Sequence, residues 1–164
     1  MNHPSSSPPR LASSLALELH FPDEDRSLRI LLAEDNHELR RLMSFVLRRE
    51  GHEVVEVQDG GALLETLAFS LVEGARQRFD LVICEQLLPR MPGLAVLAGL
   101  RARDHELPFI LITGNSEIQA QARQLGAWVL SRPLTMDAIR RVVRQTEDEL
   151  RGDEGPVAVA AGRP

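Results

Sequence analysis

Apolar and polar positions along the chain repeat one pairing five times: a short apolar run, then a stretch with helical periodicity. Ile30-Leu31-Leu32-Ala33 is the first run, of the kind shown by a strand buried on both faces. After Glu34-Asp35-Asn36, residues Leu39, Leu42, Met43, Val46 and Leu47 recur at i, i+3, i+4, i+7 and i+8. This spacing predicts a helix with those residues inward, and with Arg40, Arg41, Arg48 and Arg49 towards the other side. Gly51 ends it. His52 to Val57 reads as a second strand, and Asp59-Gly60 as a turn. A helix is expected from Ala62 to about Val72, a buried strand over Asp80-Leu81-Val82-Ile83-Cys84, and a helix from about Leu94 to Arg103. Phe109-Ile110-Leu111-Ile112 is the fourth strand, Ile118 to Leu125 the fourth helix, and Trp128 to Leu130 the fifth strand. The last helix carries Met136, Ile139, Val142, Val143 and Leu150 on one face.

Five strand–helix units with buried strands imply a parallel sheet wrapped by helices on both sides. Ligands of such sheets sit beyond the carboxyl ends of the strands. The residues just after each strand are therefore the ones to compare. Strand one ends at Glu34 and Asp35, strand three at Glu85, strand four at Thr113, and strand five at Ser131-Arg132-Pro133. Three carboxylates, a hydroxyl and a guanidinium are thus expected to converge on one small site.

The flanks divide from this body. Residues 1–27 begin with a Ser- and Pro-rich stretch and read as a disordered or weakly helical extension, in which Leu11, Leu15 and Leu19 would share one helical face. Two uses are open for it: a frayed tail, or a short partner-docking helix. Residues 28–150 form the predicted domain, and 151–164 read as a disordered tail.

Composition narrows the classes. The chain has 164 residues and a formal net charge of -5, enough for one domain and without a general pull towards nucleic acid or an anionic membrane. Its single cysteine, Cys84, precludes an internal disulfide and fits a reducing cytoplasm. No apolar run approaches the ~20 residues that span a bilayer. There is no lysine, so an arginine at a cationic position carries less meaning than usual. His37, His52 and His105 lack metal-ligand spacing and are expected to be solvated, and Cys84 to be an inert core thiol. No P-loop, dinucleotide fingerprint or nucleophile elbow is present.

Leu31-Leu32-Ala33-Glu34-Asp35, Glu85-Gln86-Leu87-Leu88-Pro89-Arg90-Met91-Pro92-Gly93, Ile112-Thr113-Gly114 and Arg132-Pro133-Leu134 together resemble the receiver domains of two-component response regulators. The resemblance covers about residues 28 to 150. It implies a flavodoxin-like (βα)5 doubly wound sheet in strand order 2-1-3-4-5. It implies that Glu34, Asp35, the residue at 85 and the backbone carbonyl of Leu87 hold a magnesium ion, with Thr113 the switch hydroxyl and Arg132 the phosphate-binding cation. It also implies a partner face on the fourth helix, fifth strand and fifth helix, where Gln119, Arg123, Gln124, Trp128, Val129, Arg140, Arg141 and Arg144 fall. Relatives use that face for partners and for dimers, so a histidine kinase, a downstream effector or a second copy is the expected partner.

One residue departs from the pattern at the centre of the chemistry. Glu85 stands where the family carries its phosphoacceptor aspartate. The extra methylene moves the carboxylate about 1.5 Å, and a 1 Å misplacement can cost roughly 100-fold in a positioned reaction. Arg132, permanently charged and bidentate, is expected to reach Glu85 and hold the domain in one state, either active-like or simply locked. Smaller departures accompany it: Gly114 for the usual alanine, Val129 for an aromatic, and extra length between Gly60 and Asp80 that is expected to extend the second helix. The leading reading is a stand-alone, non-enzymatic, protein-binding receiver in the cytoplasm that has lost phosphorylation. The alternatives are a switch that uses Glu85 as acceptor or responds to metal, and a small-molecule or nucleotide-binding enzyme using the same crevice. No output helix-turn-helix is expected after Leu150.

Overall fold

A computed structural model describes residues 27–72, 78–103 and 105–152. The elements alternate as β1 (Arg29–Ala33), α1 (His37–Arg49), β2 (Glu53–Val57), α2 (Gly60–Leu71), β3 (Leu81–Glu85), α3 (Gly93–Arg101), β4 (Phe109–Ile112), α4 (Ser116–Gln124), β5 (Trp128–Leu130) and α5 (Met136–Leu150). All strand pairs are parallel, and the sheet order is β2-β1-β3-β4-β5. This is the flavodoxin-like arrangement.

Strand periodicity sorts the core into two layers. Leu31, Ala33, Val82, Cys84, Phe109, Leu111 and Val129 point to one side and pack under α2, α3 and α4 through Leu63, Leu67, Val96, Leu97, Leu100 and Ala122. Ile30, Leu32, Leu81, Ile83, Ile110, Ile112, Trp128 and Leu130 point to the other side, against Met43 and Leu47 of α1 and Ile139, Val142 and Val143 of α5. Every residue of β3 is buried, as befits the central strand.

Local chemistry sets the helix starts. Asn36, Asp59, Asn115 and Thr135 each cap a helix by accepting from a backbone N–H of its first turn. The α3 start has no such cap; instead the buried Gln86 accepts from Leu94 N at 2.9 Å through its Oε1. Gly93 is fixed by space, since a Cβ there would lie 2.7 Å from Leu111 Cδ1 and 2.8 Å from the Glu85 carbonyl oxygen.

Several expectations need correction. Leu42 is 49% exposed, because the buried stripe of α1 is Met43, Val46 and Leu47 and a fifth apolar position exceeds what one helix face covers. His52 is not solvated: only 5% of it is exposed, and its Nδ1 accepts from Leu28 N at 3.3 Å. Helix α2 runs Gly60–Leu71, close to the expected end at about Val72; residues 73–77 lie outside the described residues, as do residues 1–26 with the Leu11, Leu15, Leu19 stripe and most of the C-terminal tail. Among the described residues no helix is long and apolar enough to cross a membrane.

Candidate functional site

The register of the sheet brings the strand ends level: Ala33 pairs with Cys84, Glu85 with Ile112, and Ile112 with Leu130. Glu34 and Glu85 are therefore level on adjacent strands, and Thr113 and Ser131 follow one residue further along on β4 and β5. Glu34, Glu85 and Thr113 are buried, while Asp35 and Arg132 are exposed.

The geometry centres on Glu85. Its Oε2 accepts from the Arg132 guanidinium, and its Oε1 accepts from the backbone N–H of Leu87 at 3.3 Å. Both carboxylate oxygens are thus engaged within the chain. The same Arg132 Nη2 lies 3.7 Å from Glu34 Oε2, too far for a hydrogen bond. Glu34 Oε2 is buried without a hydrogen-bond partner, whereas Glu34 Oε1 accepts from Asn36 N at 3.0 Å. Burial pushes the Glu34 carboxyl above its ordinary range; the Asn36 N–H opposes this, Asp35 and Glu85 add to it, and Arg132 offsets part. Arg132 is held above its own usual value, first by the hydrogen bond to Glu85. With one guanidinium among three acids, the excess negative charge is relieved by a carboxyl that takes up its proton more readily.

Supporting contacts hold this geometry. Arg40, on the first turn of α1, donates to the Glu34 carbonyl at 2.6 Å and to that of Asp35 at 3.3 Å, tying down the acid loop. Thr113 Oγ1 accepts from Asn115 N at 3.2 Å. Gln119 Nε2 donates to the Thr113 carbonyl and to Ser131 Oγ, both at 3.1 Å, and so links α4 to the ends of β4 and β5. The role of Arg40 was not legible in the sequence, where it reads as one of several solvated arginines. Its i+6 spacing from Glu34 is the available signal.

The chain belongs to the response regulator receiver domain family. Residues 30–144 match that family. The chain is 34% identical over 137 residues to the response regulator protein FleR of Pseudomonas aeruginosa, covering 80% of this chain and 28% of FleR. It is 25% identical over 120 residues to sporulation initiation phosphotransferase F of Bacillus subtilis, covering 71% of this chain and 91% of that protein. The receiver domain of the Francisella response regulator 1452 superposes with a TM-score of 0.66 at 17% identity, covering 75% of this chain and 98% of the other. Chemotaxis response regulator CheY4 of Vibrio cholerae gives 0.63 at 21% identity, covering 73% and 98%. These two solved structures bear on the fold alone. The chain spans under a third of FleR and 12% of the matched sensor histidine kinase AruS of Pseudomonas aeruginosa.

Receiver domains are signalling modules that typically bind magnesium at this strand-end site. The oxygen donors here suit such a hard cation in kind, but their arrangement does not. Among the described residues no three acidic, His or Cys side chains are grouped to hold a metal. The Arg132 guanidinium instead lies on Glu85 and beside Glu34, where a cation would be drawn. Glu34, Asp35, Glu85 and the Leu87 carbonyl could hold a metal ion here only with the Arg132 contact displaced.

The residues of the expected partner face differ in exposure. Trp128 and Val129 are each 7% exposed, packed into opposite core layers because α4 and α5 cover both sides of the short β5. Arg140 binds Glu50 at 2.9 Å, and Arg144 approaches the same carboxylate at 3.5 Å, which places both on the side of α5 that faces α1. Gln119 is half-buried in its tether, and Arg123 is half-buried. Gln124 and Arg141 are exposed.

Proposed function

We propose that this receiver is an adaptor of two-component signal transduction in which Glu85 has replaced the phosphoacceptor and phosphorylation is lost. The observation that carries the proposal is the engagement of both Glu85 oxygens, by Arg132 and by the Leu87 N–H. A nucleophilic carboxylate must present one unshielded oxygen in line with the donor phosphorus, to within a fraction of an ångström. Here each oxygen would first have to leave its partner, and the one bonded to Arg132 would leave a charge-assisted contact. The guanidinium also sits where it competes with a metal ion for the same carboxylates. The pair holds the strand-end loops in one arrangement, and the domain signals by what it binds in that arrangement. Its partner is a cytoplasmic protein, a histidine kinase or a downstream effector, contacted through the residues of α4 and α5 that remain outward, Gln124, Arg141 and Arg144 among them.

The test compares amide NMR spectra of wild type and Glu85→Asp, each with magnesium and then with beryllofluoride, a phosphoryl mimic. The expected result is a response around Thr113 and α4 in the aspartate variant alone. A wild-type response of comparable size would make Glu85 part of a working switch and overturn the proposal.

A further inference from the structure

The geometry points to an intramolecular cover on α1: residues 11–25 of this chain dock along the helix's outward stripe, apolar side chains on Leu42 and Phe45 and acidic ones on the flanking arginines. The inference rests on the receiver fold and is independent of the state of Glu85.

Arg41, Leu42, Phe45, Arg48 and Arg49 fall at i, i+1, i+4, i+7 and i+8 and form one exposed stripe. Leu42 is 49% and Phe45 58% exposed, an apolar pair in the middle of a cationic rim. Arg49 lies over the Phe45 ring, 5.7 Å from its centroid. A shallow depression of about 400 Å³ runs beside the ring, lined by Arg41, Ser44, Phe45, Arg48, Arg49 and Glu56. Glu56 pairs with Arg48 at 3.2 Å and with Arg40 at 3.7 Å. Arg41 and Arg49 remain to face an acidic ligand.

Three observations select the occupant. The first is where the chain joins the fold. Leu28 N donates to His52 Nδ1, and Leu28 O accepts from Glu53 N at 2.9 Å; His52 follows the α1 cap Glu50 by two residues. The chain preceding Leu28 therefore leaves beside the end of α1 that carries Arg48 and Arg49. The second is reach. The 13 residues of α1 span roughly 20 Å at ~1.5 Å per residue, a length that about seven extended residues cover. The third is complementarity in order along the chain. Asp23, Glu24 and Asp25 stand nearest the junction in sequence, as Arg48 and Arg49 stand at the near end of α1; Phe21, Leu19, Leu17 and Leu15 come further from it, as do Phe45 and Leu42; and Glu18 stands among these leucines, as Arg41 stands beside Leu42. Residues 11–25 lie outside the described residues. A tether this short raises the local concentration to about the millimolar range, so even a weak contact is populated.

The test uses the full chain with Ser14→Cys carrying a nitroxide; Cys84 is fully buried and stays unlabelled. Amide signals of residues 41–49 are expected to lose at least about half their intensity, more than those of any other element. Reversing the rim (Arg41→Glu with Arg49→Glu) and, separately, neutralising Asp23, Glu24 and Asp25 are each expected to restore the signals. Phe45→Ser, at an exposed position that leaves the core intact, is expected to weaken the effect. Uniform broadening over all surfaces, or a maximum on another element, overturns the proposal. So does an effect that appears only when labelled chain is mixed with a separate isotopically enriched chain, which would assign the stripe to a second copy.

Discussion

If the contact between Arg132 and Glu85 holds the strand-end loops, it must appear as a coupling energy and not only as a distance. The perturbation is a double-mutant cycle of wild type, Arg132→Met, Glu85→Gln and the double variant, which isolates the pair from each residue's other contacts. Two unit charges about 4 Å apart at an effective dielectric of ~20 attract by roughly 4 kcal/mol gross. The Glu85 side chain is 7% exposed but that of Arg132 is 42% exposed, so solvent screens the cation and desolvation of the carboxylate subtracts further. The net coupling is expected near 1.5 kcal/mol, above the ~0.2–1 kcal/mol of exposed pairs and below the ~3–5 kcal/mol lost on breaking a fully buried one. Arg132→Met alone should cost more than the coupling, because it leaves Glu34 and Glu85 facing each other without a counter-charge.

Urea unfolding of the four proteins at pH 7 measures this, with equal slopes checked so that midpoint differences report stability. Salt supplies a second reading. Charges about 4 Å apart lie well inside the ~10 Å Debye length at 0.1 M and close to the ~3 Å of 1 M, and a half-shielded pair is screened less than an exposed one. Coupling should therefore fall by less than about half between 0.1 and 1 M salt. A coupling below about 0.3 kcal/mol, within the additivity expected of independent sites, would refute the lock.

Three further outcomes follow from the same site and from the far end of the sheet. Arg132→Met should bind magnesium at least about tenfold more tightly than wild type, since loss of one repelling charge beside two carboxylates exceeds ~1.4 kcal/mol; isothermal calorimetry measures it, and equal affinities would count against the guanidinium as competitor. Glu34 titrates above its ordinary 4.5 because it is buried, so its stabilising contribution is present below that value and lost as pH rises through the folded pKa. Glu34→Gln should therefore gain on wild type between pH 4 and 7 in paired urea titrations, and a pH-independent difference would contradict this. Burial holds His52 below its ordinary 6.5, so its contribution is present above 6.5 and lost as pH falls through the folded pKa; His52→Gln should flatten the decline in melting temperature from pH 7.5 to 5, and an unchanged decline would assign it to other groups.

The sheet was legible because its signal is redundant. Four-residue apolar runs such as Ile30 to Ala33 and Phe109 to Ile112 are buried on both faces, and any one of their side chains announces the strand. The strand-end chemistry was legible for a related reason: parallel topology brings Glu34, Glu85 and Thr113 to one edge of the sheet, whatever the helices do. Burial on helices and edges was less legible, because it depends on neighbours remote in sequence. His52 is buried by the start of β1, 24 positions away through Leu28, and periodicity within its own segment carries no trace of that. Trp128 and Val129 look like surface residues of an edge strand, yet α4 and α5 close over both faces. Arg140 and Arg144 sit at helical spacings that suit a partner face as well as an α1 contact, and the sequence does not announce that Glu50 draws both towards α1 while Arg144 stays 66% exposed.

Glu85 and Arg132 at the strand ends are best considered together. A glutamate at 85 with a short or neutral residue at 132 would bury a second carboxylate beside Glu34, whose Oε2 already lacks a hydrogen-bond partner, and the like charges would strain the loops apart. An arginine at 132 with an aspartate at 85 would face a carboxylate about 1.5 Å further away, so the direct contact would open. With the longer carboxylate the guanidinium meets it, and under the proposed function this contact takes the place of phosphoryl chemistry. That contact is charge-assisted and half-shielded, and the coupling expected near 1.5 kcal/mol would select one loop arrangement without dominating the stability of the fold. Glu85→Asp therefore does more than shorten a side chain. It reopens the gap between Arg132 and the acids, and if the remaining scaffold is that of an ordinary receiver, restored sensitivity to magnesium and beryllofluoride should follow from that one methylene.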